Sequence, residues 1–424
     1  MFCTKASRDR AYIAGAFRKN KKKAKVFFPQ KGILIVIEVV RRDQCSGCKA
    51  CGDVCPVNAI SFITEQGFWY PKVNDEICVK CKACVKVCPA LHMAKKEVGS
   101  YGIYACYSLD DEKRRLSTSG GLFSELALAA MDEGDAISGA CYGKDNLILH
   151  TLCKRPEDIK IIRQSKYAQS DTEGIYKAIC TELRAGKPVV FSGTPCQNHA
   201  LRNYIRLKCP DKEDFITQID FICRGIMSSQ VYRAYLSSLE ERYGAHVALI
   251  RFKDVSKGWH NFGTKVYFSN GKTYYRDHKH DLYMYDYLFC NVGIRPVCEK
   301  CPYKGDFHSS DIIMADFWGI EKVAPDMDQD IGTSLAIINT SKGEKLFLQA
   351  SSHMCVKKVR MEDVPGGNAC LYSSIELGKQ NQWFWNNLDK LGFTKVSHVM
   401  MRRQKRENVI NRMKKIVAEL MRRK

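Results

Sequence analysis

The stretch from Cys45 to Cys88 constrains this chain more than any other, because it contains two cysteine runs of identical spacing. Each run reads C-x2-C-x2-C-x3-C-P, and the second follows the first at an offset of 33 residues. Cysteines separated by two residues can turn their sulfurs to one side of a tight loop, but they cannot easily pair with one another in disulfides. The repeat therefore predicts two metal centres of the same kind.

The spacing favours iron–sulfur clusters over zinc. Zinc sites usually show C-x2-C pairs, without a third cysteine and a closing Cys-Pro. This run is that of bacterial two-cluster ferredoxins, in which the fourth cysteine of each run ligates the other cluster. The sequence therefore predicts two 4Fe–4S clusters. The first is predicted on Cys45, Cys48, Cys51 and Cys88, and the second on Cys78, Cys81, Cys84 and Cys55.

The net charge of +21 does not indicate a nucleic-acid-binding protein, because the charge lies at the two ends. Residues 1–35 contain ten Lys or Arg and one acid, and residues 401–424 contain ten and two. Only +4 of the +21 falls on residues 36–400, which is too little for a continuous basic face. No apolar run approaches the ~20 residues that span a bilayer, and free thiolates predict the reducing cytoplasm.

The sequence predicts four segments. Residues 1–32 are basic and irregular, and we expect a disordered leader that contributes nothing to the fold, the alternative being a basic targeting arm. Residues 33–97 are predicted to form the two-cluster module, beginning with a strand at 33–40. Residues 98–360 are predicted to form a flavin and iron–sulfur domain, and residues 361–424 a helical tail.

The two-cluster module and the domain that follows it at residues 98–360, called the body from here on, are predicted to differ in fold class. Segments 59–63 and Phe68–Val73 flank a turn and predict a hairpin between the cluster loops. In the body, strands and helices alternate, and Asn270-Gly271 predicts an antiparallel pair. The expected fold is α+β with mixed α/β, a small two-cluster ferredoxin-like domain followed by a mixed-sheet α/β domain. Predicted body elements are strands at 102–107, 136–142, 147–152, 188–191, 215–223, 247–252, 263–268, 312–315 and 335–339, and helices at 122–133, 172–184 and 230–242.

Four cysteines in the body form a second group. Cys298-x-x-Cys301-Pro302 repeats the end of a cluster run but supplies only two ligands. Cys196 follows one predicted strand and Cys223 ends another, so both are expected at sheet-edge loops where ligands gather. These two cysteines can complete a third cluster, or they can be ordinary buried cysteines.

Six body motifs occur together in one order. They are Ser-Gly-Gly at 119–121, Ser-Lys-Tyr at 165–167, Gly-Thr-Pro-Cys-Gln at 193–197, Cys-Arg-Gly at 223–225, Cys-Glu-Lys-Cys-Pro at 298–302 and Asp-Phe-Trp-Gly at 316–319. Over roughly residues 36–360 this set resembles the coenzyme F-420 hydrogenase/dehydrogenase beta-subunit family, here fused to a ferredoxin module. Arg224 departs from the family's Cys-His-Gly motif and leaves the cysteine intact.

The resemblance implies further cofactors. Members of the family bind FAD and iron–sulfur clusters, and they pass electrons between a deazaflavin or related partner and other acceptors. Some relatives are encoded among polysaccharide-synthesis genes. The resemblance therefore implies FAD in this chain and a third 4Fe–4S cluster. Its ligands would be Cys196, Cys223, Cys298 and Cys301.

A flavin suits this chemistry, because clusters move one electron at a time whereas a deazaflavin or nicotinamide gives up a hydride. The Ser-Gly-Gly run at a predicted helix start can offer backbone N–H groups to a phosphate, or it can be a simple N-cap. No G-x-G-x-x-G opens a helix, which argues against a Rossmann nicotinamide site. The candidate flavin contacts are Ser119, Gly120, Gly121, Ser165, Lys166, Tyr167, Gly193 and Thr194.

The sequence supports more than one function. The first hypothesis is a flavin and iron–sulfur oxidoreductase whose partner is a redox protein or a deazaflavin-type coenzyme. The alternatives are a non-enzymatic electron relay, a ferredoxin-driven reductase of a small organic substrate, and a scaffold in a membrane-associated biosynthetic complex. No catalytic residue can be assigned from the sequence.

Two further segments have an open interpretation. Aromatic residues mixed with His, Arg and Lys fill 259–287, which can line a substrate or partner face or can pack in the core. At the C-terminus, apolar residues recur every three or four positions from Asn408 onward, among many Lys and Arg. Such a basic amphipathic helix can lie on the inner membrane face, or it can pack on the protein's own body or on a second copy.

Overall fold

The computed structural model describes residues 36–93, 101–305, 308–364 and 366–422, and the predicted leader at 1–32 lies outside them. The described part begins with a 3-10 helix at Ile37–Val39, where the sequence predicted a strand over 33–40. That prediction is wrong for the described residues of the segment. The Val40 N–H donates to Ile37 O at 3.0 Å within a tight turn, and both apolar side chains are buried in the small core of the module.

The two-cluster module is built around the predicted hairpin. Strand β1 (Ile60–Glu65) pairs antiparallel with β2 (Phe68–Val73), and Gly67 in the connecting turn has a φ of +73°. The first cysteine run contains the short helix α1 (Ala50–Asp53) and the second contains α2 (Ala83–Val87). The hairpin therefore joins two loops of similar construction, which confirms the ferredoxin-like part of the predicted fold.

The body is a mixed α/β fold with one eight-stranded sheet, as the sequence predicted. Its strands are β3 (Gly102–Ser108), β4 (Ala136–Tyr142), β5 (Ile148–Cys153), β6 (Val189–Ser192), β7 (Ile216–Phe221), β11 (Ile312–Asp316), β12 (Ser334–Ile338) and β13 (Met354–Lys358). The sheet order is β13-β3-β12-β11-β7-β6-β4-β5, and its centre, β11 to β4, is parallel. Antiparallel pairs close both sides, which makes the sheet mixed.

Helices cover the sheet. The helices of the body are α3 (Asp111–Arg115), α4 (Leu122–Asp132), α5 (Ile159–Ile162), α6 (Ile175–Arg184), α7 (Pro195–Lys208), α8 (Ser229–Tyr243), α9 (Leu282–Tyr285), α10 (Ile320–Val323), α11 (Ser341–Ser351), α12 (Asn381–Leu391) and α13 (Phe393–Arg422). α4 and α11 bury Leu126 and Phe347 in one core cluster. α6 and α7 pack in another cluster, which also contains Ala50 and Val54 of the module.

A three-stranded antiparallel sheet contains much of the aromatic segment. Its strands are β8 (Val247–Asp254), β9 (Gly263–Phe268) and β10 (Thr273–Asp277), which confirms the antiparallel pair predicted at Asn270-Gly271. The Trp259 ring stacks on Trp318 with centroids 4.4 Å apart, and Tyr283 stacks on Tyr235 at 5.1 Å. Trp259, Tyr235 and Tyr283 are buried in the core and Trp318 packs half-buried against it, so packing accounts for much of the aromatic segment.

The C-terminal helix α13 is longer than the pattern from Asn408 indicated. Its first turns bury Phe393, Val396, Ser397 and Met400 against the body, whereas every residue from Asn408 to Arg422 is exposed. Of the alternatives left open for the apolar stripe, packing on the described part of the protein's own body is therefore not observed. Among the described residues, no helix combines the length and apolarity needed to cross a membrane.

Candidate iron–sulfur centres

The two cluster loops repeat one backbone conformation. Gly47 and Lys80, 33 positions apart, both have positive φ (68° and 54°), and so do Lys49 and Lys82 (57° and 63°). Left-handed geometry at a residue other than glycine is uncommon and indicates a defined local requirement. The 33-residue repeat of the cysteines therefore extends to the backbone conformation of the two loops.

The structure brings cysteines of the two runs together. Burial raises the pKa of Cys88, and the nearby thiols of Cys48 and Cys45 raise it further. Burial also raises the pKa of Cys84, with smaller contributions from Cys81 and Cys55. The fourth cysteine of each run thus lies near cysteines of the other run, as the crossed assignment requires. Buried thiols of this kind lose their protons when a metal binds.

A buried arginine joins the first cluster loop to the body. Arg295 is 0% exposed, and its Nε donates to Cys45 O at 2.7 Å. Its two other nitrogens donate to Gln169 Oε1 at 2.9 Å and to Trp69 O at 2.8 Å. Gln169 Nε2 in turn donates to Ser46 O and Gly47 O. Side chains from two distant segments therefore hold the backbone of this loop.

A buried lysine makes a second connection. Lys49 is only 6% exposed, and its Nζ lies 2.7 Å from Asp171 Oδ2 and 2.7 Å from Glu173 Oε2. The same ammonium lies 4.7 Å from the centroid of the Trp69 ring. A buried charge is costly unless it is paired, so these carboxylates fix the first cluster loop against the body.

The four body cysteines line one cavity. Cys196 lies in the first turn of α7 after β6, and Cys223 follows β7. Because β6 and β7 are parallel neighbours, the chain leaves both strands at the same edge of the sheet. Cys298 and Cys301 reach this edge from the 3-10 helix Pro296–Lys300. The cavity is lined by all four cysteines, and also by Ser46 of the first cluster loop, Arg224 and Lys304.

The electrostatics of the cavity show that the four thiols act on one another. Burial raises the pKa of Cys196 to about 12, with contributions from Cys301 and Cys298. Burial raises the pKa of Cys298 to about 12, and the nearby thiol of Cys301 makes the next largest contribution to this rise. Lys304 opposes the rise that burial causes in the pKa of Cys223, and its Nζ donates to Cys223 O at 2.5 Å. Arg224 donates to Asn291 Oδ1 at 2.6 Å beside the same cavity.

The candidate metal donors that line this cavity are four cysteine thiols. Among the described residues, no three His, Cys, Asp or Glu side chains converge closely enough to hold one metal ion. Zinc would require four ligands within about 2.3 Å of one atom, whereas a 4Fe–4S cluster distributes its cysteines over separate iron atoms. The two kinds of centre therefore differ in the ligand spacing that they need.

The candidate flavin residues divide into two groups. The Ser165 N–H donates to Thr118 Oγ1 at 2.7 Å, so the Ser-Gly-Gly and Ser-Lys-Tyr motifs lie side by side. Thr194, by contrast, is the N-cap of α7, and its Oγ1 lies 3.0 Å from Cys196 Sγ. Gly193 precedes it at the end of β6. The second pair therefore leads into the first turn of α7, which carries Cys196 of the cavity.

Two polar groups of the Ser-Gly-Gly run already form hydrogen bonds within the protein. The Gly120 N–H donates to Ser334 Oγ at 2.9 Å, and Ser119 Oγ donates to Thr333 O at 2.9 Å. A Cβ on Gly120 would lie 2.5 Å from Cys106 O, so glycine is required here by close packing against β3. In the first turn of α4, which begins at Leu122, the N–H groups of Ser124 and Glu125 donate to Gly121 O, so those of Leu122 and Phe123 are the candidates for a phosphate.

Lys166 and Tyr167 are held from within the protein. Lys166 Nζ donates to Arg163 O at 2.6 Å and to Gln164 O at 3.1 Å. Burial lowers the pKa of Lys166 to about 7. The Tyr167 ring packs edge-on against Phe252, with the centroids 5.6 Å apart. The charge and the ring of this motif are therefore both half-buried and held by contacts within the protein.

Comparison with known proteins agrees with the two-part organisation. Residues 44–91 match the model of the 4Fe-4S dicluster domain, and residues 186–364 match that of the C terminus of the coenzyme F420 hydrogenase/dehydrogenase beta subunit. Among curated proteins, none matches this chain. The F420-reducing NiFe hydrogenase complex from Methanosarcina barkeri contains a chain that is 18% identical, with a TM-score of 0.45, and the match covers 74% of this chain and 94% of that one. The chain therefore contains a 4Fe–4S dicluster domain at residues 44–91, followed at residues 186–364 by a match to the C-terminal domain of the coenzyme F420 hydrogenase/dehydrogenase beta-subunit family, as its motifs predicted.

Proposed function

We propose that this protein is a flavin and iron–sulfur oxidoreductase, which passes electrons between 4Fe–4S clusters and a hydride carrier of the deazaflavin kind. The observation that carries the proposal is the cavity, in which four cysteines, two buried and two half-buried, meet Ser46 of the first cluster loop. Cysteine sulfurs are the ligands of a 4Fe–4S cluster, and a cluster here would lie next to that of the module. Electrons would then move between the two parts of the chain.

The proposal assigns three clusters to twelve cysteines. Mutual effects among the thiols of Cys45, Cys48 and Cys88 support the crossed assignment in the module. The positive side chains of Arg224 and Lys304 at the cavity suit an anionic group built from four thiolates. The ligands are Cys45, Cys48, Cys51 and Cys88 for cluster one, Cys78, Cys81, Cys84 and Cys55 for cluster two, and Cys196, Cys223, Cys298 and Cys301 for cluster three.

FAD belongs to the proposal because of the family match and the need to convert hydride chemistry into single-electron steps. When bound, a flavin accepts two electrons together and gives them up singly. The residues that would hold it are the first turn of α4 after Gly121 and the adjoining Ser165, with the Thr118–Ser165 hydrogen bond fixing the two segments. The family resemblance extends the proposal to a small organic acceptor, including one from polysaccharide biosynthesis.

The test is an anaerobic purification followed by an absorption spectrum and counts of iron, sulfide and flavin. Three clusters and one flavin predict about twelve iron, about twelve sulfide and one FAD per chain. A protein with full iron and sulfide but no flavin, even after reconstitution with FAD, would be the electron relay instead. About eight iron per chain would contradict the third cluster and leave the dicluster module standing.

Peripheral contact with a membrane is a further part of the proposal. From Asn408 onward, α13 exposes an apolar stripe that includes Met413 at 61%, Leu420 at 59% and Met421 at 74%. Residues 402–422 also contain eight Lys or Arg but only Glu407 and Glu419 as acids. A second copy would bring like charges together, whereas anionic headgroups would neutralise them. With about 1 kcal/mol per basic residue near such a surface, we propose reversible binding to the cytoplasmic leaflet.

Deletion of residues 402–424 is expected to abolish binding to vesicles in which about one third of the lipid is anionic, measured by flotation at low salt. Binding of the intact protein should weaken at high salt, because the Lys and Arg contribution is screened. Vesicles of neutral lipid alone serve as the control. Equal flotation of the intact and shortened proteins, or dimerisation through the helix without vesicle binding, would contradict membrane contact.

A further inference from the structure

The two cluster loops differ in what covers them. In the first loop, Ser46 and Lys49 are each 6% exposed beneath the body. The residues 33 positions later are uncovered, with Val79 59% exposed and Lys82 on the surface. Ile77, at the start of the second loop, is 48% exposed, and Cys81 is an exposed cysteine. One loop of a repeated pair is therefore buried, while the other presents apolar and basic side chains to solvent.

The body shows how such a loop is covered. Segment 169–176 lies over the first loop, where Asp171 and Glu173 pair with the Lys49 ammonium at 2.7 Å each. The Thr172 hydroxyl donates to Cys48 O at 2.7 Å. In the second loop, Lys82 occupies the position of Lys49 with the same left-handed backbone, and it has no carboxylate partner among the ion pairs of the described residues. The groups that would pair with Lys82 as Asp171 and Glu173 pair with Lys49 are carboxylates, which an acidic protein surface would supply.

We propose that the loop Ile77–Lys86 is the docking surface for a small acidic electron-carrier protein, which covers the second cluster loop as the body covers the first. Because the docked carrier exchanges electrons with cluster two, this rests on the cluster assignment of the proposed function. In the exchange, one electron passes from the reduced carrier to the cluster or back. The donor is oxidised, the acceptor is reduced, and no bond is made or broken.

The charge of the loop favours this occupant over others. Residues 77–86 contain Lys80, Lys82 and Lys86, all exposed, and no acid, while Asp75 and Glu76 lie just outside. Ile77 and Val79 add apolar area beside the charges. Protein interfaces combine such an apolar centre with charges that steer the partner and fix its orientation. The exposed Cys81 is a proposed ligand of cluster two, so a carrier docked on this loop would lie beside a residue that would hold that cluster.

The experiment compares three variants of the full chain with the unaltered protein. Lys80→Glu/Lys82→Glu reverses two charges, Lys80→Gln/Lys82→Gln only removes them, and Lys272→Glu reverses an exposed charge in the three-stranded sheet as a matched control. The probe is a small acidic ferredoxin. Its dissociation constant is measured by titration, and its second-order rate of cluster reduction by stopped flow, at low and at high salt.

At low salt we expect the Lys80→Glu/Lys82→Glu variant to bind the ferredoxin at least about tenfold more weakly than the unaltered protein does. Its second-order rate of cluster reduction should fall by a similar factor. The Gln variant should fall between them, Lys272→Glu should match the unaltered protein, and high salt should narrow the differences. Equal constants for all proteins, with full iron content, would overturn the docking surface. If cluster two is absent, its iron and its spectrum are missing from the unaltered protein as well, which separates failure of the proposed function from failure of the docking surface.

Discussion

Replacement of Cys298 by alanine is expected to remove about a third of the bound iron and sulfide, since one of three four-iron clusters would lose a ligand. The thiol is 6% exposed and faces the cavity that it shares with Cys196, Cys223 and Cys301. Electron transfer between the flavin and the dicluster module should slow, whereas the spectra of the two module clusters should persist. Iron and sulfide assays with electron paramagnetic resonance of the reduced protein measure this.

The matched control is Cys290→Ala, which changes a buried cysteine eight residues earlier that does not line the cavity. Both variants remove one buried sulfur, so a general loss of packing would affect them alike. The control should retain all its iron. Unchanged iron in Cys298→Ala, or an equal loss in both variants, would mean that these are ordinary buried cysteines.

The parts of the fold that the sequence predicted well are those set by local patterns. Alternating apolar strands, the Asn270-Gly271 turn and the Cys-x2-Cys runs each act over a few residues, and the corresponding elements formed where expected. The segment 33–40 shows the limit of that reasoning. Its apolar residues read as a strand, but a strand needs a neighbour, and Ile37–Val39 instead turns into the core of the module.

Residues that act across long separations were not predicted. Lys49 and Arg295 look like surface charges in the sequence, yet both are buried against partners more than a hundred positions away. The Ser-Gly-Gly run shows the same limit in a different way. A glycine in such a run can allow the backbone to approach a phosphate, or it can allow close packing against another strand. Only the positions of Ser334 and of the Cys106 carbonyl show that Gly120 is required for packing.

Replacement of Arg295 by glutamine is expected to lower the midpoint potentials of the proposed clusters one and three. The guanidinium is fully buried, contacts the first cluster loop at Cys45 O and precedes Cys298 by three residues. It also opposes the rise in pKa of both Cys48 and Cys298 that burial causes. Among the described residues Arg295 has only neutral hydrogen-bond partners, so we infer that the anionic clusters are its counter-charge.

The direction and size of the effect follow from Coulomb's law. Reduction adds negative charge to a cluster, a nearby cation stabilises that charge, and its removal therefore makes reduction harder. A unit charge about 8 Å away contributes about 2 kcal/mol at an effective dielectric constant of about 20, or about 90 mV for one electron. Cluster two, with its ligands on the other loop, should shift less. Redox titration followed by electron paramagnetic resonance resolves the three potentials.

Two further variants separate charge from packing. Arg295→Lys keeps the positive charge but loses the three-way hydrogen bonding, so its potentials should stay close to those of the unaltered protein even where its stability falls. Arg114→Gln changes another fully buried arginine, which lies 3.8 Å from the centroid of the Tyr107 ring and donates to Gly332 O and Gln329 Oε1. That control should destabilise the fold and leave the potentials in place. If Arg295→Gln retains its iron and its potentials match those of the Arg114→Gln control, Arg295 only holds the loop, and the clusters owe their potentials to other groups.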